Sequence, residues 1–129
     1  MRVLIFHGYM LRGTGSNIYN VSLAPALARL GHEVHLLCQD REAELEGVQI
    51  HVPDIGGLLP VYVKDPYEGF EVKAFPELTE AELGRYIEAN VAAVRQVAAD
   101  AGGIDAALAN HLVMGPAILA RAGIAPFAA

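Results

Sequence analysis

Three groups of residues have the types and spacing that chemistry needs. Gly13-Thr14-Gly15-Ser16-Asn17 is a turn of small residues that opens into a helical pattern. Its backbone amides would lie at the positive end of a helix, where a phosphate or another anion is well received; the plain alternative is a loop that needs small residues only to turn. His111 follows a short apolar run and precedes Gly115-Pro116, which places it at the carboxyl end of a strand. There it can donate a hydrogen bond to a ligand oxygen or act as a base near neutral pH. His7 ends the first apolar run, close to the same rim, whereas His32 and His51 read as surface or packing residues. Finally, Asp65-Pro66-Tyr67-Glu68-Gly69 offers two carboxylates and a ring, a set suited to hydroxyl-rich ligands and equally compatible with a solvated acidic turn.

Several familiar site motifs do not fit. Gly13 and Gly15 begin a dinucleotide fingerprint, but its third glycine falls on Ile18, and Gly8 to Arg12 separate the motif from its strand. A nucleoside-triphosphate loop needs a lysine, and none precedes Lys64. The histidines lack metal-binding spacing, so no metal is expected. The loop also lacks the final glycine of a serine nucleophile elbow.

The elements that must position these groups follow from apolar pattern. Arg2 to His7 and Glu33 to Cys38 are nearly continuous apolar runs, the mark of parallel strands covered on both faces. Between them, Ile18, Val21, Ala24, Leu27 and Ala28 form a helical stripe over Asn17 to Leu30. Ser16 or Asn17 is expected to cap that helix and Gly31 to end it, with a bend at Pro25. Val48 to Val52 alternates in polarity and is expected at a sheet edge. Asp40 to Gly47 is expected at the surface, and Asp54 to Glu68, rich in glycine and proline, as a long loop. Phe70 to Phe75 is a short extended piece. Thr79-Glu80-Ala81-Glu82 is a capping box for a long helix that Gly102-Gly103 terminates. Ile104 to Ala109 predicts another strand, Gly115 to Arg121 or Ala122 a short helix, and Ile124 to Ala129 a last strand. Strands and helices in this alternation predict an α/β fold: one three-layer domain over 1–129 with a mostly parallel sheet. A strand that ends uncovered at Ala129 leads us to expect a domain truncated at its carboxyl end.

Bulk properties narrow the partners. The 129 residues carry a formal charge of -6, of which residues 1–40 contribute +1 (Arg2, Arg12 and Arg29 against Glu33 and Asp40) and the remainder -7. Such an acidic chain has no electrostatic case for binding nucleic acid. Cys38 is the only cysteine, lies in an apolar run and reads as a buried thiol; this weakly fits a reducing cytoplasm. There is no apolar run of membrane-spanning length. Peripheral membrane contact is compatible with the sequence.

Met1-Arg2-Val3-Leu4-Ile5, the glycine loop, and above all Leu27-Ala28-Arg29-Leu30-Gly31-His32-Glu33-Val34-His35-Leu36-Leu37 resemble the start of GT-B fold glycosyltransferases, specifically retaining family four. The resemblance continues through Asp105 to His111 and covers essentially the whole chain. It implies an amino-terminal, acceptor-side Rossmann-like domain that faces a carboxyl-terminal GT-B domain across a cleft. The parent protein would then transfer sugar from a nucleotide-diphosphate donor to a hydroxyl acceptor, with that donor as substrate and no cofactor. By the same resemblance, Gly13 to Asn17 would approach the donor diphosphate and His111 the reacting sugar or acceptor hydroxyls. His7, Tyr67 and Glu68 are the candidate acceptor contacts. The isolated chain is expected to be inactive. The other reading is a carbohydrate- or nucleotide-binding domain without catalysis.

Overall fold

A computed structural model describes residues 1–13 and 15–129; Thr14, the second residue of the glycine loop, lies outside them. Five strands form one sheet: β1 (Arg2–Phe6), β2 (Glu33–Leu37), β3 (Val48–His51), β6 (Ala106–Ala109) and β7 (Phe127–Ala128), in the order β3-β2-β1-β6-β7. Every pairing in it is parallel. Helix α1 (Ser16–Arg29) covers one face, where Val3, Ile5, Val34, Leu36 and Cys38 meet Ala24. Helices α2 (Glu80–Ala101) and α3 (Gly115–Arg121) cover the other, where Leu4, Phe6, Leu37 and Ala109 meet Val91, Val94 and Ile118. The alternation of Val3 and Ile5 against Leu4 and Phe6 feeds both cores, so β1 reads as unbroken apolar sequence. The result is a three-layer, Rossmann-like α/β fold. No helix among the described residues is long and apolar enough to cross a membrane.

The capping box of α2 forms as expected. Glu82 N donates to Thr79 Oγ1 at 3.1 Å, Thr79 N donates to Glu82 Oε1 at 3.0 Å, and Gly102 takes the left-handed terminating position. Glu82 also accepts from Lys73 Nζ at 2.8 Å, and with the Thr79 contacts this brings its carboxyl down to about 2. Thr79→Ala should destabilise the chain by about 1 kcal/mol, the usual worth of such a cap; urea unfolding measures it, and an unchanged midpoint would mean that water replaces the hydroxyl at no loss.

Three expectations are corrected. Asp54 to Glu68 is not one loop: Leu58–Val61 forms β4, which pairs in parallel with β5 (Glu71–Ala74) as a separate two-stranded sheet. A two-stranded sheet needs outside support, and Leu59 and Val61 supply it by burying against Tyr9, whose hydroxyl donates to Pro60 O at 3.0 Å. Phe75, the expected end of the extended piece, instead opens a 3-10 turn over Phe75–Glu77. Second, neither Ser16 nor Asn17 caps α1: Gly15 is its N-cap, at φ 62°, and no side chain caps the first turn. In the same helix Ile18, expected in the apolar stripe, is 49% exposed, while Asn20 is fully buried. Third, Asp40 is buried rather than on the surface, because its carboxylate accepts from Arg12 Nε at 3.3 Å, Leu11 N at 3.4 Å and Glu42 N at 3.3 Å.

The short strand β6 is alanine-rich and a poor strand former by composition. Close packing explains it. A Cβ at Gly115 would lie 2.9 Å from Ala109 Cβ, so α3 approaches the strand more closely than larger side chains would permit.

Candidate functional site

Strand order reverses beside β1: the chain passes through α1 to β2 on one side and later enters β6 on the other. In parallel sheets such a switch point opens a crevice at the strands' carboxyl ends. Register brings those ends level, with Phe6 opposite both Leu37 and Ala109. The residues that follow, His7 and Asn110-His111, therefore emerge beside one another and beside the start of α1.

His7 is 1% exposed, and both ring nitrogens are occupied. Nε2 faces two acceptors, Met10 O and Asn17 Oδ1, each at 2.9 Å. Nδ1 faces two amide donors, Asn20 Nδ2 at 3.2 Å and Asn110 Nδ2 at 3.3 Å. This donor and acceptor set assigns the proton to Nε2 and makes the ring neutral. Burial agrees, lowering the His7 pKa against smaller upward pulls from Met10 and Asn17. The side chain of Asn17 is fixed at its other end by donation to Arg12 O. His7 was expected to contact an acceptor; instead it sits behind the cavity wall and ties the loop after β1 to the first turn of α1.

His111 is the group that faces outward. Its ring stacks on His7, with centroids 5.6 Å apart, and lies edge-on to Tyr9 at 5.0 Å and tilted to Tyr62 at 5.3 Å. Asn110 Nδ2 donates to its Nε2 at 3.3 Å, and Ser16 Oγ lies 3.4 Å from the same atom. An accepting Nε2 leaves the proton of the neutral ring on Nδ1, which has no hydrogen-bond partner among the described residues. Burial lowers the His111 pKa, and the neighbouring His7 adds to the effect. At pH 7 the ring is thus held neutral with one N–H free to donate.

A cavity of about 360 Å³ opens in front of His111, bounded by Gly13, Ser16, Asn17, Tyr62 and Tyr67. Tyr62 closes one side, its hydroxyl donating to Val113 O at 3.1 Å. The first turn of α1 contributes backbone amides that the helix itself leaves unsatisfied. Among the loop residues named from sequence, Gly13, Ser16 and Asn17 line this cavity and Gly15 caps the adjoining helix. Tyr67 lines it too. Glu68 does not: it borders a neighbouring cavity of about 500 Å³ with Asp40 and Glu42, and Arg12 borders both.

Sequence reasoning missed Tyr9, Tyr62 and Asn20. Only Asn20 left a signal: with Asn17 and Ala24 it shares the i, i+3, i+7 spacing of one helix face; its Nδ2 finds His7 Nδ1 and Ser16 O, while its buried Oδ1 has no partner among the described residues. Comparison with family models, curated proteins and solved structures returns no match.

Proposed function

We propose that this chain is the acceptor-side half of a sugar-transfer site, belonging to a GT-B glycosyltransferase of the retaining kind. The observation that supports it is the pairing of a neutral His111, with a free N–H, and the positive end of the 14-residue helix α1 across one cavity. A nucleotide-diphosphate sugar presents just two needs at such a place: negative charge on the diphosphate and hydroxyls on the sugar. The unsatisfied amides of the first turn of α1 would serve the first, and His111 would donate to the second. In the reaction the acceptor oxygen bonds to the anomeric carbon and the bond to the diphosphate breaks. The electron pair leaves with the diphosphate, which also takes up the acceptor's proton. In this reading a second Rossmann-like domain holds the nucleotide.

Transfer is measured as release of nucleoside diphosphate from a panel of nucleotide sugars. The two-domain protein should turn over and the 129-residue chain alone should not. Efficient donor-dependent transfer by the lone chain would overturn the half-site reading. Binding of nucleotide sugar by the two-domain protein, with no turnover across a broad acceptor panel, would favour a non-enzymatic binding domain.

Gly15 supplies a sharper test. A Cβ added there meets nothing within 4 Å, so valine would extend into open space beside the first turn of α1 rather than strike the protein. Its backbone, at φ 62° and ψ -127°, lies where essentially only glycine is found, so a non-glycine residue adds about 1–3 kcal/mol of strain, a loss a domain of ordinary stability survives. Gly15→Val should raise the donor KM by roughly tenfold or more, the loss expected when a charge-assisted contact is broken. An unchanged donor KM would remove the loop from the diphosphate site.

A further inference from the structure

The neighbouring cavity is a built polar site that the transfer chemistry does not use. It opens over the carboxyl ends of β2 and β3 and is bordered by Arg12, Gln39, Asp40, Arg41, Glu42 and Glu68, with Phe70 as an apolar patch. Two of these side chains are buried and held in place. Gln39 is 4% exposed, and its amide nitrogen donates to Pro53 O at 2.9 Å. That bond holds the amide in place, Oε1 takes no hydrogen bond from any described residue, and Gln39 lines the cavity, so an acceptor is left for a ligand there. Asp40 is fixed by Arg12 and by the amides of Leu11 and Glu42.

The charge of the lining identifies the class of ligand. Asp40, Glu42, Asp54 and Glu68 outnumber Arg12 and Arg41, so a phosphate or carboxylate would meet net repulsion. An uncharged polyhydroxyl ligand meets no such penalty: its O–H groups donate to carboxylates and to the Gln39 oxygen, its oxygens accept from guanidinium groups, and a ring face can lie on Phe70. The two cavities also adjoin. Arg12 borders both, and consecutive residues of one loop divide between them, Tyr67 to the His111 side and Glu68 to this one.

We infer that this cavity binds a second sugar unit, so that the acceptor is a glycan of at least two residues running from His111 past Arg12 to Gln39 and Glu68. The inference rests on the transferase reading for its word acceptor, but not for the binding itself. A glycan array of uncharged mono- to tetrasaccharides, probed with the 129-residue chain and followed by calorimetry on the hits, tests it. Hits should be confined to two or more units and bind at least about tenfold more tightly than the matching methyl monosaccharide, as one or two added charge-assisted hydrogen bonds would give. Glu68→Gln and Gln39→Ala should each erase most of that increment. Glu68 is exposed, so its variant will fold even where the Gln39 variant does not.

Absence of any bound glycan, equal affinity for the monosaccharide, or an increment indifferent to Glu68→Gln would each overturn the inference. Its fate separates from that of the transferase. Glycan binding that depends on Glu68, without sugar transfer in the two-domain protein, sinks the transferase and keeps the second subsite. Transfer to monosaccharides at a rate indifferent to Glu68→Gln does the reverse.

Discussion

On the sugar-transfer reading proposed above, replacing His111 with alanine should lower turnover of the two-domain protein by about a hundredfold, the usual cost of deleting one hydrogen-bond donor aimed at charge or a hydroxyl in the transition state. The loss should fall mainly on kcat. His111 is half-buried, and its removal leaves the Asn110 amide still paired with His7, so the thermal midpoint should move by only a few degrees. The pH profile supplies a second readout. Burial and His7 place the His111 pKa below the ordinary 6.5, so the neutral ring predominates at pH 7. Activity should hold through neutrality and fall only below that lowered value, as protonation of Nε2 breaks acceptance from Asn110. Unaltered kinetics in the variant, at any pH, would reject His111 as a site residue.

His7→Leu should be a costly change for stability. It leaves Met10 O, Asn17 Oδ1 and the amides of Asn20 and Asn110 without their shared partner. Asn20 can still donate to Ser16 O and Asn110 to His111 Nε2, so the loss falls on the part-buried Met10 O and Asn17 Oδ1; at about 1–3 kcal/mol each it is on the order of 4 kcal/mol. For a chain this size that is roughly 10–15 °C in thermal midpoint. The sign of the pH effect follows from the lowered His7 pKa. The unfolded chain takes up a proton near 6.5 and the folded chain only at lower pH, so acidification through that window favours unfolding. His7 therefore contributes stability that is present above about 6.5 and lost as pH falls through its folded pKa. His51 and His111 are lowered as well and act in the same direction. In His7→Leu the slope of stability against pH should shrink by up to about 1.4 kcal/mol per pH unit inside the window. A midpoint unchanged from wild type, or an unchanged slope, would show that the network contributes nothing net.

What could be read from sequence was what neighbours in sequence decide. The β1-α1-β2 unit, the Thr79 box and the Gly102 stop depend on residues a few positions apart, and each appears with its ends shifted by a residue or two. Parallel pairing then did the rest for the rim, because strands that all run one way bring His111 to the glycine loop whatever lies between. What was not legible depends on distant partners. The strand Leu58–Val61 holds a proline and follows two glycines, and it exists because Tyr9, 51 residues away from Pro60, packs and hydrogen bonds there. The commitment of His7 to a buried network depends on Asn110, 103 residues on. Asp40, charged and just past a strand, looked like surface until Arg12 and two backbone amides were found holding its carboxylate.

Arg12 has a consequence of its own. Its side chain is 69% exposed, yet its guanidinium is tethered to the nearly buried carboxylate of Asp40, and it stands on the border of both cavities. A ligand in one cavity that draws the guanidinium toward itself changes what the other cavity offers. Thermodynamic linkage makes such an effect mutual: whatever factor the first ligand applies to the affinity of the second, the second applies to the first. If both cavities bind ligands as proposed, this single ion pair would couple them, and titrating one ligand in the presence of the other would read the sign.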